Sequence, residues 1–147
     1  MAFLSSLNIS GSGLTASRLR MDVISENIAN ATTTETQNGG PYRRKEVVYE
    51  SIDDSSSFSS IYQRQLAGSG NKGVRVKEIA EDPSEFQSVY DPTNADADAN
   101  GYVLMPNVDL VEETIDMMAA SRAYEANLTA FNAMKSMAEK ALQIQGE

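Results

Sequence analysis

Several stretches of this sequence carry residue types that could do chemistry. Asp96-Ala97-Asp98-Ala99-Asn100-Gly101 opens like a calcium loop, with oxygen donors at alternate positions and a glycine where the chain must turn. The twelfth position of such a loop normally holds a glutamate that supplies two ligand oxygens; here it is Asn107, preceded by Pro106. No helical pattern leads in from Asp91-Pro92. The segment therefore reads as an Asx-rich connection between strands, with calcium binding over 96–107 as the alternative. Arg43-Arg44-Lys45 is a basic triplet, short and without interleaved aromatics; it suits a solvated strand edge, or contact with an acidic neighbour. Asp53-Asp54 and Glu112-Glu113 are adjacent carboxylates whose side chains diverge, so they read as solvated charge rather than a catalytic pair. Gly11 and Gly13 lack both a preceding strand and a lysine at P-loop spacing, so no phosphate loop is read there.

The absences narrow the chemistry further. There is no histidine and no cysteine, which removes the commonest general base, the commonest metal ligand, disulfides and thiol chemistry. A Ser–His or Cys–His hydrolase cannot be built from this chain. With 12 basic against 21 acidic residues the formal net charge is -9, which argues against nucleic acid and anionic membrane surfaces as partners. No apolar run approaches the roughly 20 residues that span a bilayer. Residues 1–7 lack the basic start of a cleaved secretory signal. The expectation is a non-enzyme with no cofactor, no metal, no small-molecule substrate and no membrane insertion.

The strongest pattern is apolar periodicity at the two ends. Leu7, Leu14, Met21 and Ile28 recur every seven residues with Ile24 between them, a helical seam at coiled-coil spacing over 3–31. Ser10-Gly11-Ser12-Gly13 lies inside it, and each interior glycine costs roughly 1 kcal/mol relative to alanine. Such a helix is marginal alone and needs a partner. At the other end Met117, Ser121, Tyr124, Leu128, Phe131, Lys135, Ala138 and Leu142 alternate steps of four and three, with Lys135 laying its stem along the seam. Asp109 followed by Glu112 resembles a capping box, Glu113 and Asp116 place negative charge near the positive end of the helix, and Lys140 sits near the other. No glycine or proline occurs over 108–145, so one continuous helix of about 35 residues, roughly 50 Å long, is expected.

Between the ends, 46–50, 73–79 and 102–104 are rich in β-branched or aromatic residues and predict strands. Gly39-Gly40-Pro41 and Asp91-Pro92 mark turns, Asn100-Gly101 is a hairpin signal, and the serine-rich 51–60 reads as a mobile loop. The expected class is α+β. Residues 1–32 form an N-terminal helix, 33–107 a β-rich middle element and 108–147 a long C-terminal helix, the two helices making an antiparallel coiled-coil-like pair. A stripe of this period is most often core within one monomer. Here the seams lie at the extreme ends, and the last helix carries a second apolar set, Val111, Ile115, Met118 and Met134, that the same partner helix cannot cover. Surplus apolar surface of this kind points to burial between molecules. The assembly seam is assigned to Leu7, Leu14, Met21, Ile24 and Ile28 with Met117, Tyr124, Leu128, Phe131 and Leu142.

The residues of both ends also resemble a known family. Leu7-Asn8-Ile9-Ser10-Gly11-Ser12-Gly13-Leu14, followed by Met21-Asp22-Val23-Ile24-Ser25-Glu26-Asn27-Ile28-Ala29-Asn30, resembles the N-terminal signature of the bacterial flagellar rod and hook family. Ser121-Arg122-Ala123-Tyr124-Glu125-Ala126-Asn127 resembles its C-terminal signature. Asp91-Pro92, the stretch 96–102, Pro106-Asn107-Val108, Pro41-Tyr42-Arg43-Arg44 and Glu81-Asp82-Pro83-Ser84 resemble segments of its proximal-rod members. Glu26-Asn27 stands where the family often has two asparagines, and Ala31-Thr32-Thr33-Thr34 lacks the Pro-Gly common in relatives. The resemblance implies a structural axial subunit of the flagellar basal body, exported through the flagellar type III apparatus without a cleaved signal. It would polymerise through its terminal helices into the proximal rod that transmits torque from motor to hook. The implied partners are copies of itself, other rod proteins and the export-gate adaptor at the rod base. Another axial rod or hook component is the alternative.

Overall fold

The Ser-Gly-Ser-Gly stretch does not break the first helix: α1 runs over Ala2–Ala29 without interruption. It is followed by β1 (Lys45–Ser51), β2 (Val74–Glu81), β3 (Gln87–Tyr90), β4 (Tyr102–Met105) and α2 (Leu110–Ile144). The computed structural model describes residues 2–37, 39–52, 62 and 73–144. Asp53-Asp54 and most of the loop expected over 51–60 lie outside the described residues. The α+β class, with a long helix at each end and a small β element between, is the one the patterning implies.

α2 starts where its cap dictates. Asp109 Oδ1 accepts the backbone N–H of Val111 at 2.7 Å and of Glu112 at 3.3 Å, satisfying two donors that a helix start leaves open. With no glycine or proline ahead, the helix continues for 35 residues. The strands form two separate two-stranded sheets, β1 with β2 and β3 with β4. Beyond one end of the first sheet the Asp82 N–H donates to Arg44 O at 2.9 Å, and beyond the other the Ile52 N–H donates to Gly73 O at 3.0 Å, so β1 and β2 run antiparallel. β3 and β4 pair antiparallel with Val89 opposite Val103 and Tyr90 opposite Tyr102. The hairpin signal at Asn100-Gly101 thus marks the closing end of a long connection, 91–101, rather than a two-residue turn. Gly101 has φ +81°, and a Cβ there would stand 3.0 Å from the Tyr90 ring.

The chain divides into two compact units, each drawing on both helices. The first comprises Leu19–Val48 and Glu78–Ala120. Its core is Val23, Ile24, Tyr42, Val103, Val108 and Ala120, with two polar residues, Asn27 and Glu113, buried among them. Here the helices are antiparallel: Arg20 reaches Asp116, while Asn27, later in α1, reaches Glu113, earlier in α2.

The second unit comprises Met1–Arg18, Tyr49–Lys77 and Ser121–Glu147. Among its described side chains only Ser10 and Ala16 are buried. Close approach replaces bulk. A Cβ on Gly13 would stand 3.0–3.2 Å from the Asn127 amide, so the glycine that weakens α1 lets α2 come near it. Gly73, at φ +109°, would place a Cβ 2.2 Å from Ser12 Oγ, which accepts the Val74 N–H at 3.1 Å. The start of β2 is therefore seated on α1 through a glycine and a serine.

Candidate assembly site

The apolar seam is only partly covered in the lone chain. Ile24 is buried. Leu7, Leu14, Met21, Ile28, Met117, Tyr124 and Phe131 are half-buried. Leu128 and Leu142 are 38% and 70% exposed. On α2 the inward line runs through Glu113, Met117, Ala120, Tyr124, Asn127, Phe131, Met134 and Ala138 in steps of three and four. Asn127 and Met134 thus occupy inward places beside the exposed Leu128 and Lys135. Counting apolar residues alone misses this, because two of the inward places are polar.

A fully bonded polar arrangement surrounds one of those polar places, Glu113. Asn27 is 1% exposed and Glu113 0%. The Asn27 side chain meets the backbone of Lys45 as a neighbouring strand would: Oδ1 accepts the Lys45 N–H at 3.0 Å, and Nδ2 donates to Lys45 O at 2.9 Å. Oδ1 also accepts the Tyr42 hydroxyl at 2.9 Å, and Nδ2 also donates to Glu113 Oε2 at 3.1 Å. Both donors and both acceptor sites of the amide are used. The other Glu113 oxygen accepts Arg44 Nε–H at 2.6 Å. Asn107 completes the frame: Oδ1 accepts the Arg44 backbone N–H at 2.9 Å, and Nδ2 donates to Ser84 Oγ at 2.7 Å. α1, the segment before β1, the loop after β2 and the start of α2 are thereby tied through six side chains, Asn27, Tyr42, Arg44, Ser84, Asn107 and Glu113.

Two expectations are corrected here. The basic triplet is not a solvated edge. The Arg44 guanidinium is 13% exposed, pairs with Glu113 and Glu46, and has Asp82, Glu112 and Asp116 within 3.7–3.9 Å. Arg43 lies 4.3 Å over the Phe86 ring and donates to Asp82 O and Ser84 O, while Lys45 pairs with Glu26. Nor is Glu112-Glu113 simply solvated charge, since Glu113 is wholly enclosed. The two side chains do diverge, and that divergence puts one inside. A charge buried this completely persists only with a partner and full hydrogen bonding, and Arg44 with Asn27 supplies both.

The electrostatics follow from the packing. Burial works against the Arg44 charge, but the hydrogen bond and charge of Glu113, with Glu46 and Glu112, outweigh it and hold the guanidinium above its ordinary pKa. Burial, then the charges of Glu26, Glu113 and Glu81, push the Tyr42 phenol up to about 12. The unfolded phenol ionises near its ordinary value of about 10. The stability that Tyr42 contributes is therefore complete below that value and lost as pH rises toward about 12. Urea midpoints of the wild type should fall more steeply across this alkaline window than those of Tyr42→Phe. Parallel curves would show that the phenol is not held this way.

The acidic 91–101 connection spends its carboxylates on the chain itself. Asp98 Oδ1 accepts the N–H groups of Asn100 at 2.8 Å and Tyr102 at 3.0 Å; Asp91 Oδ1 accepts both the hydroxyl and the N–H of Thr93. Hydrogen bonds from Tyr102 and Asn100 hold the Asp98 carboxyl below the usual range, and those from Thr93 do the same for Asp91. Asp96 accepts the Thr34 hydroxyl at 2.6 Å. Among the described residues no three His, Cys, Asp or Glu side chains are grouped to hold a metal ion. The calcium-loop opening is here a set of Asx turns.

Two family models match the chain: one described as flagella basal body rod protein, over residues 7–35, and one described as flagellar basal body rod FlgEFG protein C-terminal, over residues 99–144. Among similar proteins, the flagellar basal-body rod protein FlgC of Bacillus subtilis is 53% identical across 98% of this chain and 99% of its own length. The protein of that name from Borreliella burgdorferi is 46% identical, and that from Salmonella typhimurium 40% identical, each across 98% of both chains.

Proposed function

The chain belongs to the FlgC family of flagellar basal-body rod proteins, and from that premise we propose how it works as a structural subunit of the proximal rod. The core of one unit is finished within the single chain, whereas the other is left open and is completed by neighbours. The observation that carries this is the distribution of burial. The unit of Leu19–Val48 and Glu78–Ala120 holds most of the buried side chains, whereas every described side chain of 121–143 is half-buried or exposed. An apolar surface left open in this way is covered on assembly. Heterologous contacts repeated along a helical path give an open filament rather than a closed ring.

The neighbours are copies of this chain and other rod proteins, with the export-gate adaptor at the rod base. Helices that draw much of their stability from neighbours suit passage through the type III export apparatus, because little must be undone before the chain is threaded. Once packed at interior density, the same helices form a stiff rod able to carry torque. The chain acts by holding, not by turnover. Leu128→Asp tests the seam. This charge on a 38% exposed position should leave the core of the first unit folded by circular dichroism and urea unfolding while abolishing incorporation into basal bodies and swimming. Motile cells with the variant in their basal bodies would refute the seam's role.

A further inference from the structure

Val111, Ile115 and Met118 stand at steps of four and three on α2, on the side of the helix away from the buried Glu113 and Ala120, and are 69%, 57% and 50% exposed. The helix segment that bears them carries Glu112, Glu113 and Asp116 and no base between Leu110 and Ala120. From Ser121 onward the helix has a different character. It carries Arg122, Lys135 and Lys140 against Glu125 and Glu139, with Lys135 and Glu139 within 3.9 Å of each other. Its exposed Ala126, Thr129 and Ala133 are small.

We infer that the apolar face Val111–Ile115–Met118 is covered by the Ala126–Thr129–Ala133 stretch of α2 in a second copy of this chain. Charge and shape agree. Docking the acidic segment on its own counterpart would oppose Glu112 to Glu112, whereas docking it on the later segment brings Glu112, with its exposed carboxylate, toward Arg122 or Lys140. Large side chains on one surface meet small ones on the other, as close packing requires. The same choice decides the symmetry. A face that docks on itself closes a two-fold dimer and stops, whereas a face that docks on a different one leaves a free head and a free tail, so the contact propagates. This rests on the rod reading above, since only a polymerising chain has such a neighbour at every position.

The natural chain has no cysteine, so paired cysteines report the contact directly. Full-length Val111→Cys/Ala133→Cys, expressed in place of the wild type, should give a ladder of disulfide-linked dimers, trimers and longer species in oxidised, isolated basal bodies. Either single variant should give at least ten-fold less, and the Val111→Ser/Ala133→Ser control should incorporate normally. Dimers formed as efficiently by Val111→Cys alone would overturn the inference, because they mean a self-docking face. So would incorporation of the double variant with no ladder; that result would leave the rod reading intact. Absence of the wild-type chain from basal bodies would instead end both.

Discussion

Replacing Arg44 by methionine should cost the folded chain about 3–5 kcal/mol, a large part of the stability of an ordinary domain. The reason lies in Glu113, which is 0% exposed and whose Oε1 takes its hydrogen bond from Arg44 Nε. Without the guanidinium its charge stays enclosed with only the Asn27 amide to hold it. Lysine at the same position should recover only part of the loss. A point-like ammonium cannot address Glu113, Glu46 and Asp82 with a planar fork of donors. The double variant Arg44→Met/Glu113→Leu removes both charges and should be markedly more stable than Arg44→Met alone, since replacing a buried pair by apolar groups is often near neutral. Urea unfolding of the three variants forms the test. A single variant within about 1 kcal/mol of the wild type, the range of an exposed pair, would show that the bridge is not structurally demanding.

The second large effect is expected from a change that alters almost no volume. Asn27→Asp keeps Oδ1 for the Tyr42 hydroxyl and the Lys45 N–H but replaces the Nδ2 donor by an oxygen, which then faces Lys45 O and Glu113 Oε2 at distances near 2.9 and 3.1 Å. Each acceptor left without a donor costs about 1–3 kcal/mol, and two enclosed carboxylates add repulsion. The loss near neutral pH should therefore reach about 3 kcal/mol or more. Its pH dependence identifies the cause. Burial and the charge of Glu113 raise the pKa of the introduced acid in the folded state above its unfolded value, so the penalty is small at low pH and grows as pH rises. Asn27→Leu should be destabilised without this dependence. Midpoints measured near pH 5 and pH 7 separate the two. An aspartate variant as stable as the wild type near neutrality, or equally penalised at both values, would rule out the hydrogen-bond assignment.

Both predictions concern residues that the periodicity passes over. A residue in a single sequence shows its charge but not its partner, and Arg44 and Glu113 are 69 positions apart. The signals were indirect. Asn27 lies within the N-terminal signature and Pro41-Tyr42-Arg43-Arg44 within another segment of the resemblance, and Glu113 sits seven residues before Ala120 on the inward line of α2. β3 was hidden for a related reason. All four of its residues, Gln87-Ser88-Val89-Tyr90, are exposed, so no buried face imposes an alternation, and only pairing with β4 makes them a strand. By contrast, 46–50, 73–79 and 102–104 were legible because their side chains favour a pleated backbone wherever they lie. They correspond to Lys45–Ser51, Val74–Glu81 and Tyr102–Met105.

By itself, then, the amino-acid order determined what depends on near neighbours: the two long helices, the Asp109 cap, the turn glycines, three strands and the family signature. Each rests on residues within a few positions of one another, where backbone geometry leaves few choices. Only the tertiary structure decided which charges were enclosed, that Gly13 and Gly73 serve close approach, and that Asn127, Met134 and Glu113 stand inward while Leu128 remains in solvent. Those outcomes depend on segments distant in the chain meeting at particular distances, and on the cost of leaving a polar group or a charge without a partner there.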